Sequence, residues 1–170
     1  LVAKPDSGRA HMGLGQSYLQ LCRDATTTPA QRVTDCLSAR NAFETAKGLT
    51  GADQTLVFLG LGESLSVAAT ELAKVNPGDS NILLYKQGSV DAYAQAASGS
   101  GGNANAQLLL ANALKATQPD RASEAYRQYV AMKLAYTDWI AADWQSPVGP
   151  LFLQKTNALP TMEDRRNVAE

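Results

Sequence analysis

GLGQS at residues 13–17 returns as GLGES at residues 60–64, so nearly the same glycine-rich pentapeptide is spelled twice. Two physical uses compete for such a stretch. Bare backbone amides can cradle a phosphate, or small residues on a helix can let a neighbouring element come close. The first use has requirements that these stretches do not meet. A dinucleotide fingerprint needs G-x-G-x-x-G after a strand, and a P-loop needs Gly-Lys-Ser/Thr. Gly13-x-Gly15 and Gly60-x-Gly62 lack the third glycine and the lysine, and both lie inside helical apolar patterns. Gly99-x-Gly101-Gly102 has no lysine either. The second use remains, and it makes the pentapeptides the mark of a structural repeat.

Composition agrees with a helical chain. The 170 residues suit one domain with a core of its own. They are 45% apolar and 18% charged, with only 3 Phe, 2 Trp and 6 Tyr. Alanine is the commonest residue, and it is both the best helix former and the smallest packing unit. Helices packed through small side chains follow, rather than a sandwich with an aromatic core. Fifteen Lys and Arg against sixteen Asp and Glu leave a formal charge of −1, and no basic run exceeds Arg165-Arg166. A nucleic-acid partner therefore has no electrostatic footprint here. No membrane-spanning segment is expected, because no wholly apolar stretch reaches the roughly 20 residues a span needs. The chain begins at Leu1 without a signal-peptide pattern, as a mature form or a piece of a longer chain would.

Six helices are predicted. The first covers about Ser7 to Arg23, with apolar or small positions at Met12, Gly15, Leu19 and Cys22. After the Thr26–Pro29 turn, a second carries Val33, Cys36, Leu37, Phe43 and Ala46 and stops near Gly48 and Gly51. Asp53 caps a third, which runs to about Val75 before the Asn76-Pro77-Gly78-Asp79 breaker. The fourth spans about Ser80 to Ala97, with Leu83, Leu84, Tyr93 and Ala96 assigned to its apolar face. A glycine-serine connection leads to a fifth over about Asn103 to Thr117, and Pro119-Asp120 opens a sixth that extends past Tyr136 towards Trp144. Beyond Ser146, Pro147, Gly149, Pro150 and Pro160 oppose a long helix. Residues 147–170 are expected to lie on the last helices through Leu151, Phe152 and Leu153, the alternative being a partly disordered tail.

The helices pair by signature. First helices read Leu14-Gly15-x-x-Tyr18, Leu61-Gly62-x-x-Leu65 and Leu110-Ala111-x-x-Leu114. Second helices read Ala39-x-x-x-Phe43-x-x-Ala46, Ser89-x-x-x-Tyr93-x-x-Ala96 and Ala122-x-x-x-Tyr126-x-x-Tyr129. A small residue on the first helix admits its partner, and the aromatic on the second fills the space between hairpins. Over residues 7–137 this pattern resembles the tetratricopeptide repeat, with Leu-Gly-x-x-Tyr on one helix and Ala-x-x-x-Phe-x-x-Ala on the next. The resemblance implies an all-α fold, a right-handed α-solenoid of about three antiparallel helix pairs over residues 1–146 with a capping segment at 147–170. A plain helical bundle is the structural alternative. The spacing departs from the family's period of about 34 residues. Gly15 and Ala39 of the first pair stand further apart than Ala111 and Ala122 of the third, so the first two hairpins need longer helices or turns.

What the resemblance implies for function is a non-enzymatic adaptor that binds a protein or peptide along a groove. Mapping the family's groove face onto the first helices selects Arg9, Met12, Gln16 and Gln20, then Glu63, then Asn105, Asn112 and Lys115. The family's two-carboxylate clamp for peptide C-termini is not implied, since Met12 and Gln16 stand where it needs lysines and asparagines. The rival reading is a structural subunit of an envelope or secretion assembly, using the array as packing surface within a larger complex.

Catalytic chemistry finds little support. Gly62-Glu63-Ser64 has part of a nucleophile-elbow pattern, but it lacks the second glycine and the strand-to-helix turn. The single histidine, His11, lies in another hairpin and is expected at the solvent or a groove edge. No His/Cys/Asp cluster has metal-ligand spacing, and no cofactor is expected. Cys22 and Cys36 flank the first turn almost symmetrically, so an antiparallel hairpin would bring them face to face as a disulfide. Two unrelated buried thiols are the alternative. A disulfide implies a periplasmic or extracellular setting, and free thiols a cytoplasmic one. Tyr136, Trp139 and Trp144 fall close together and are expected to cap the final apolar face of the array rather than to form a binding surface.

Overall fold

The computed structural model describes residues 7–99 and 103–143, with side chains up to residue 135. Its six helices are α1 (Gly8–Arg23), α2 (Pro29–Lys47), α3 (Gln54–Val75), α4 (Asn81–Ser98), α5 (Ala104–Leu114) and α6 (Pro119–Asp143), and no strand occurs among the described residues. The chain is all-α, as its composition and signatures required.

Local chemistry sets the helix starts. The Thr28 hydroxyl accepts from the Gln31 amide at 3.2 Å, and Pro29 occupies the first helical position, where no amide hydrogen is needed. Asp53 accepts from the Leu56 amide at 3.1 Å and opens α3. Asn103 accepts from the Ala106 amide at 2.9 Å and opens α5. Between α2 and α3 the chain turns through Gly51, whose φ of 84° lies in the region that only glycine enters freely.

The chain divides into two compact units, with the break at Gly102–Asn103. The first contains α1 to α4 in antiparallel succession. Contacts between Gly8 and Thr50, Gly15 and Phe43, and Cys22 and Cys36 run in opposite senses along α1 and α2. Phe43 with Gly60 and Arg32 with Glu71 do the same for α2 and α3. Gly62 with Tyr93 and Gly88 with Leu65 do so for α3 and α4. Helix α3 is thus the centre of this unit, packed on α2 and on α4, with α1 also touching it. The second unit pairs α5 with α6, through Gln107–Gln128 at 2.8 Å and Asn112–Tyr126 at 2.6 Å.

The glycine pentapeptides now have a cause. Phe43 is 1% exposed, and its ring lies over both Gly15 of α1 and Gly60 of α3. A methyl at Gly15 would come within 2.9 Å of that ring, and one at Gly60 would overlap it. Tyr93, 4% exposed, stands in the same way over Gly62, where a methyl would lie 2.5 Å from its ring. Each of these second-helix aromatics therefore rests on a glycine of a first helix. Gly13, by contrast, faces open space. Around Phe43 the core is closed by Ala39, Ala46, Val57, Leu61 and Ala68. Tyr126 takes the third aromatic place and is also buried. The spacing within a pair follows where the small residues sit: Ala111 lies near the end of α5 and Ala122 near the start of the 25-residue α6, whereas Gly15 and Ala39 lie in mid-helix.

One assignment is corrected. Leu83 and Leu84, expected on the buried face of α4, are 74% and 64% exposed. The inward stripe of α4 instead passes through Ser89, Val90, Ala92, Tyr93, Ala96 and Ala97, nearer the C-terminal end of the helix. By length and hydropathy α3 could cross a bilayer, but half of its most apolar window is buried within the fold. Tyr136 and Trp139 lie on the backbone of α6, while their side chains, Trp144 and the segment 147–170 lie outside the described residues.

Candidate interaction groove

Arg9, Met12, Gln16 and Gln20 follow one face of α1 at helical spacing. Arg9, Gln16 and Gln20 are exposed, whereas Met12 is partly buried against the core. Glu63 of α3 joins this face, but its carboxylate is held by Arg23, which continues the same row of α1. Arg23 was not among the residues expected to matter. Its role is visible only when α1 and α3 stand side by side. Asn105 and Asn112 are exposed on α5 and Lys115 just past its end, in the second unit. Asn112 is committed locally, because its Oδ1 accepts the Tyr126 hydroxyl.

A different surface of the first unit carries a concavity. Helices α2 and α4 flank α3 and leave a trough of about 510 Å³ between them. Its floor is Phe58, Leu61 and Leu65 of α3. One wall is Arg40, Glu44 and Lys47 of α2; the other includes Leu84, Gly88, Asp91 and Gln95 of α4. Within each helix these positions recur every three or four residues, so three single faces converge on one trough. The floor is apolar, the α2 wall is charged, and the α4 wall mixes Asp91 and Gln95 with Leu84, Tyr85 and Ala92. Gly88 deepens the trough where any other residue would begin to fill it, since a methyl there would reach Leu65 Cδ1 at 3.0 Å.

Sequence reasoning missed this trough for a physical reason. The expected groove was laid on first helices, and the concavity here uses second helices as walls. One signal for it was present in the sequence, a glycine in mid-α4.

The strongest electrostatic cluster lies elsewhere and is structural. Glu71 is 6% exposed and receives Arg32 and Lys74, each at 2.6 Å. Burial pushes its carboxyl up, but the hydrogen bonds from Lys74 and Arg32 outweigh that and hold it below its ordinary value. Arg32 also donates to the Thr27 carbonyl at 2.7 Å, which ties the α1–α2 turn to α3. Asp24 in that turn is lowered by hydrogen bonds from the Thr26 side chain and amide. Burial, reinforced by the Glu63 charge, pushes the Tyr93 phenol up to about 12, so it stays neutral at any physiological pH.

Ser64 is fully buried and donates to the Leu61 carbonyl at 3.0 Å, the bond of an ordinary helix serine. His11 is half-buried on α1. Among the described residues no group of three or more His, Cys, Asp or Glu could hold a metal ion. Cys22 and Cys36 form a disulfide across the first hairpin, with Cα atoms 4.9 Å apart. That bond is compatible with an oxidising compartment. No protein-family model matches the chain, and neither a curated protein nor a solved structure does.

Proposed function

We propose that this chain is a non-enzymatic interaction module of the tetratricopeptide kind, an adaptor whose stacked helix pairs hold a segment of a partner protein. The trough between α2 and α4 carries this reading, because an apolar floor with charged and polar groups at its sides is the form that helical modules offer to a peptide. The aromatic-on-glycine packing of Phe43 and Tyr93 supports the repeat, since it recurs in the first two pairs. The disulfide supports work in a periplasmic or extracellular space. No cofactor enters this function.

Capture from native extract on the immobilised chain, with mass-spectrometric identification, tests the proposal. Recovery of partners by the folded protein but not by a heat-unfolded control is the expected result. Recovery of nothing beyond that control would overturn it. A second reading, a packing subunit of a larger envelope or secretion assembly, is favoured by Leu14 and Leu21, which leave an apolar strip on the outer side of α1 at 46% and 50% exposure. Stoichiometric co-purification with one large complex would select it over exchangeable clients.

A further inference from the structure

We infer that the trough between α2 and α4 accepts one turn-row of an amphipathic α-helix, presenting a carboxylate to Arg40 and a cation to Asp91. The inference rests on the interaction reading above and specifies its ligand. Three observations carry it.

The first is the nature of the walls. They are helices, whose backbone amides and carbonyls are already bonded within each helix. An extended peptide lying there would find no strand edge to satisfy its own backbone. A helix brings its backbone bonds with it and needs only side-chain contacts. Phe58, Leu61 and Leu65 form a row at i, i+3 and i+7, which matches the row an incoming helix presents. On α4 the trough runs from Leu84 to Gln95, roughly 16 Å at the helical rise, enough for about three turns.

The second is charge. Glu44 is neutralised by Lys47 on its own helix at 2.6 Å. Arg40 makes no ion pair or hydrogen bond among the described residues, and it lines the α2 wall. Asp91, on the opposite wall, accepts among the described residues only from the Gln87 amide at 2.9 Å, a neutral donor one turn away. Among the described residues the trough therefore has one uncompensated cation on one side and one uncompensated anion on the other. A helix with an acid on one flank and a base on the other meets both, in one orientation and not the reverse.

The third is Gly88. Glycine inside a helix costs roughly 0.5–1 kcal/mol against alanine. At Gly60 and Gly62 that cost is offset by an aromatic ring packed on the bare backbone. At Gly88 only the tip of Leu65 is near, so the empty space itself is what the glycine provides. Leu84, 64% exposed at the rim, supplies apolar surface that a seated helix would cover.

Selection of a displayed library of random peptides, long enough for about four helical turns, tests this on the intact chain. Enriched peptides should carry apolar residues at i, i+3 or i+4 and i+7, flanked by Asp or Glu on one side. They should gain helical circular dichroism on binding. Gly88→Leu, which fills the trough at a half-buried site without burying charge, should weaken them at least tenfold. Arg40→Glu should weaken them similarly, and exchanging the peptide acid for Lys should restore binding to that variant. Peptides bound equally well by wild type, Gly88→Leu and Arg40→Glu would overturn the trough as the site while leaving an interaction module with another face. Failure to enrich any peptide also overturns it. If native capture fails as well, the interaction reading falls too.

Discussion

The ring of Phe43 stands where a side chain on Gly60 would have to go, so an aromatic of one hairpin is fitted to a glycine of the next. Gly60→Ala must therefore move a buried ring or separate α2 from α3. Overpacking of this kind costs about 1–3 kcal/mol and outweighs the helix propensity that alanine adds. Gly13→Ala is the control, because its site is open and the same propensity gain applies there unopposed. Denaturation midpoints should fall for Gly60→Ala and hold or rise for Gly13→Ala. Phe43→Ala should cost more than either, about 3–5 kcal/mol, since it empties the shared contact. An unchanged midpoint for Phe43→Ala would contradict its burial.

Much of this contact was legible in the sequence. The signatures contained both residues of each contact, Gly15 and Phe43 and then Gly62 and Tyr93, but they set the aromatic between hairpins and did not pair it with the glycine of its own hairpin. Gly60 was harder, since it serves the preceding hairpin rather than its own. Helix ends were legible where a capping side chain or proline marks them, as at Thr28-Pro29 and Asp53. The inward face of α4 was not. Leu83 and Leu84 are apolar enough to suggest burial, but burial depends on which turns of α4 find α3 beside them. That depends on tertiary arrangement, which periodicity does not contain. The trough was hidden for the same reason, because it is made by the separation of α2 and α4 rather than by any one segment.

The Cys22–Cys36 bond closes a hairpin whose turn is also held by Arg32 and Thr27. Thiol counting on unreduced protein from its native setting should find neither cysteine free. Replacing both with alanine should lower stability by about 3 kcal/mol, the chain-entropy value for a loop of roughly 15 residues. Because Arg32 and Thr27 hold the turn independently, the doubly substituted protein should still fold.

Acid should weaken the fold through Glu71. Its folded carboxyl titrates below the ordinary 4.5, because Lys74 and Arg32 favour the charged form. The stabilisation is therefore fully present above about 4.5 and is lost as the pH falls below that value through the folded-state pKa. Glu71→Gln should be less stable at neutral pH, yet its melting temperature should fall less steeply between about pH 5 and pH 3. Parallel melting curves for the two proteins across that range would show that Glu71 is not linked to folding.

Gly88→Ala separates the needs of the fold from those of the trough. A methyl there meets only the flexible end of Leu65, which can turn aside, so the helix-propensity gain should survive. A rise in stability of up to about 1 kcal/mol is expected, in contrast to the loss at Gly60. A marked loss would mean that Gly88 is required for packing α4 on α3, and the trough would be a by-product of that packing.

The polar face of α1 offers the complementary experiment. Arg9, Gln16 and Gln20 are exposed, and none of them fills the core, so their joint replacement by alanine should change stability by no more than about 0.5 kcal/mol per site. Asn112, selected by the same family mapping, should behave differently. Its Oδ1 accepts the hydroxyl of Tyr126, which is only 5% exposed, so Asn112→Ala removes a hydrogen bond between α5 and α6. A loss of about 1 kcal/mol, the net contribution of one such hydrogen bond, should follow. With stability accounted for in this way, capture of partners by the α1 variant can be compared with capture by Gly88→Leu. Retention by the first and loss by the second places recognition between α2 and α4. The opposite outcome places it on the Arg9–Gln20 face, where the tetratricopeptide resemblance alone would put it.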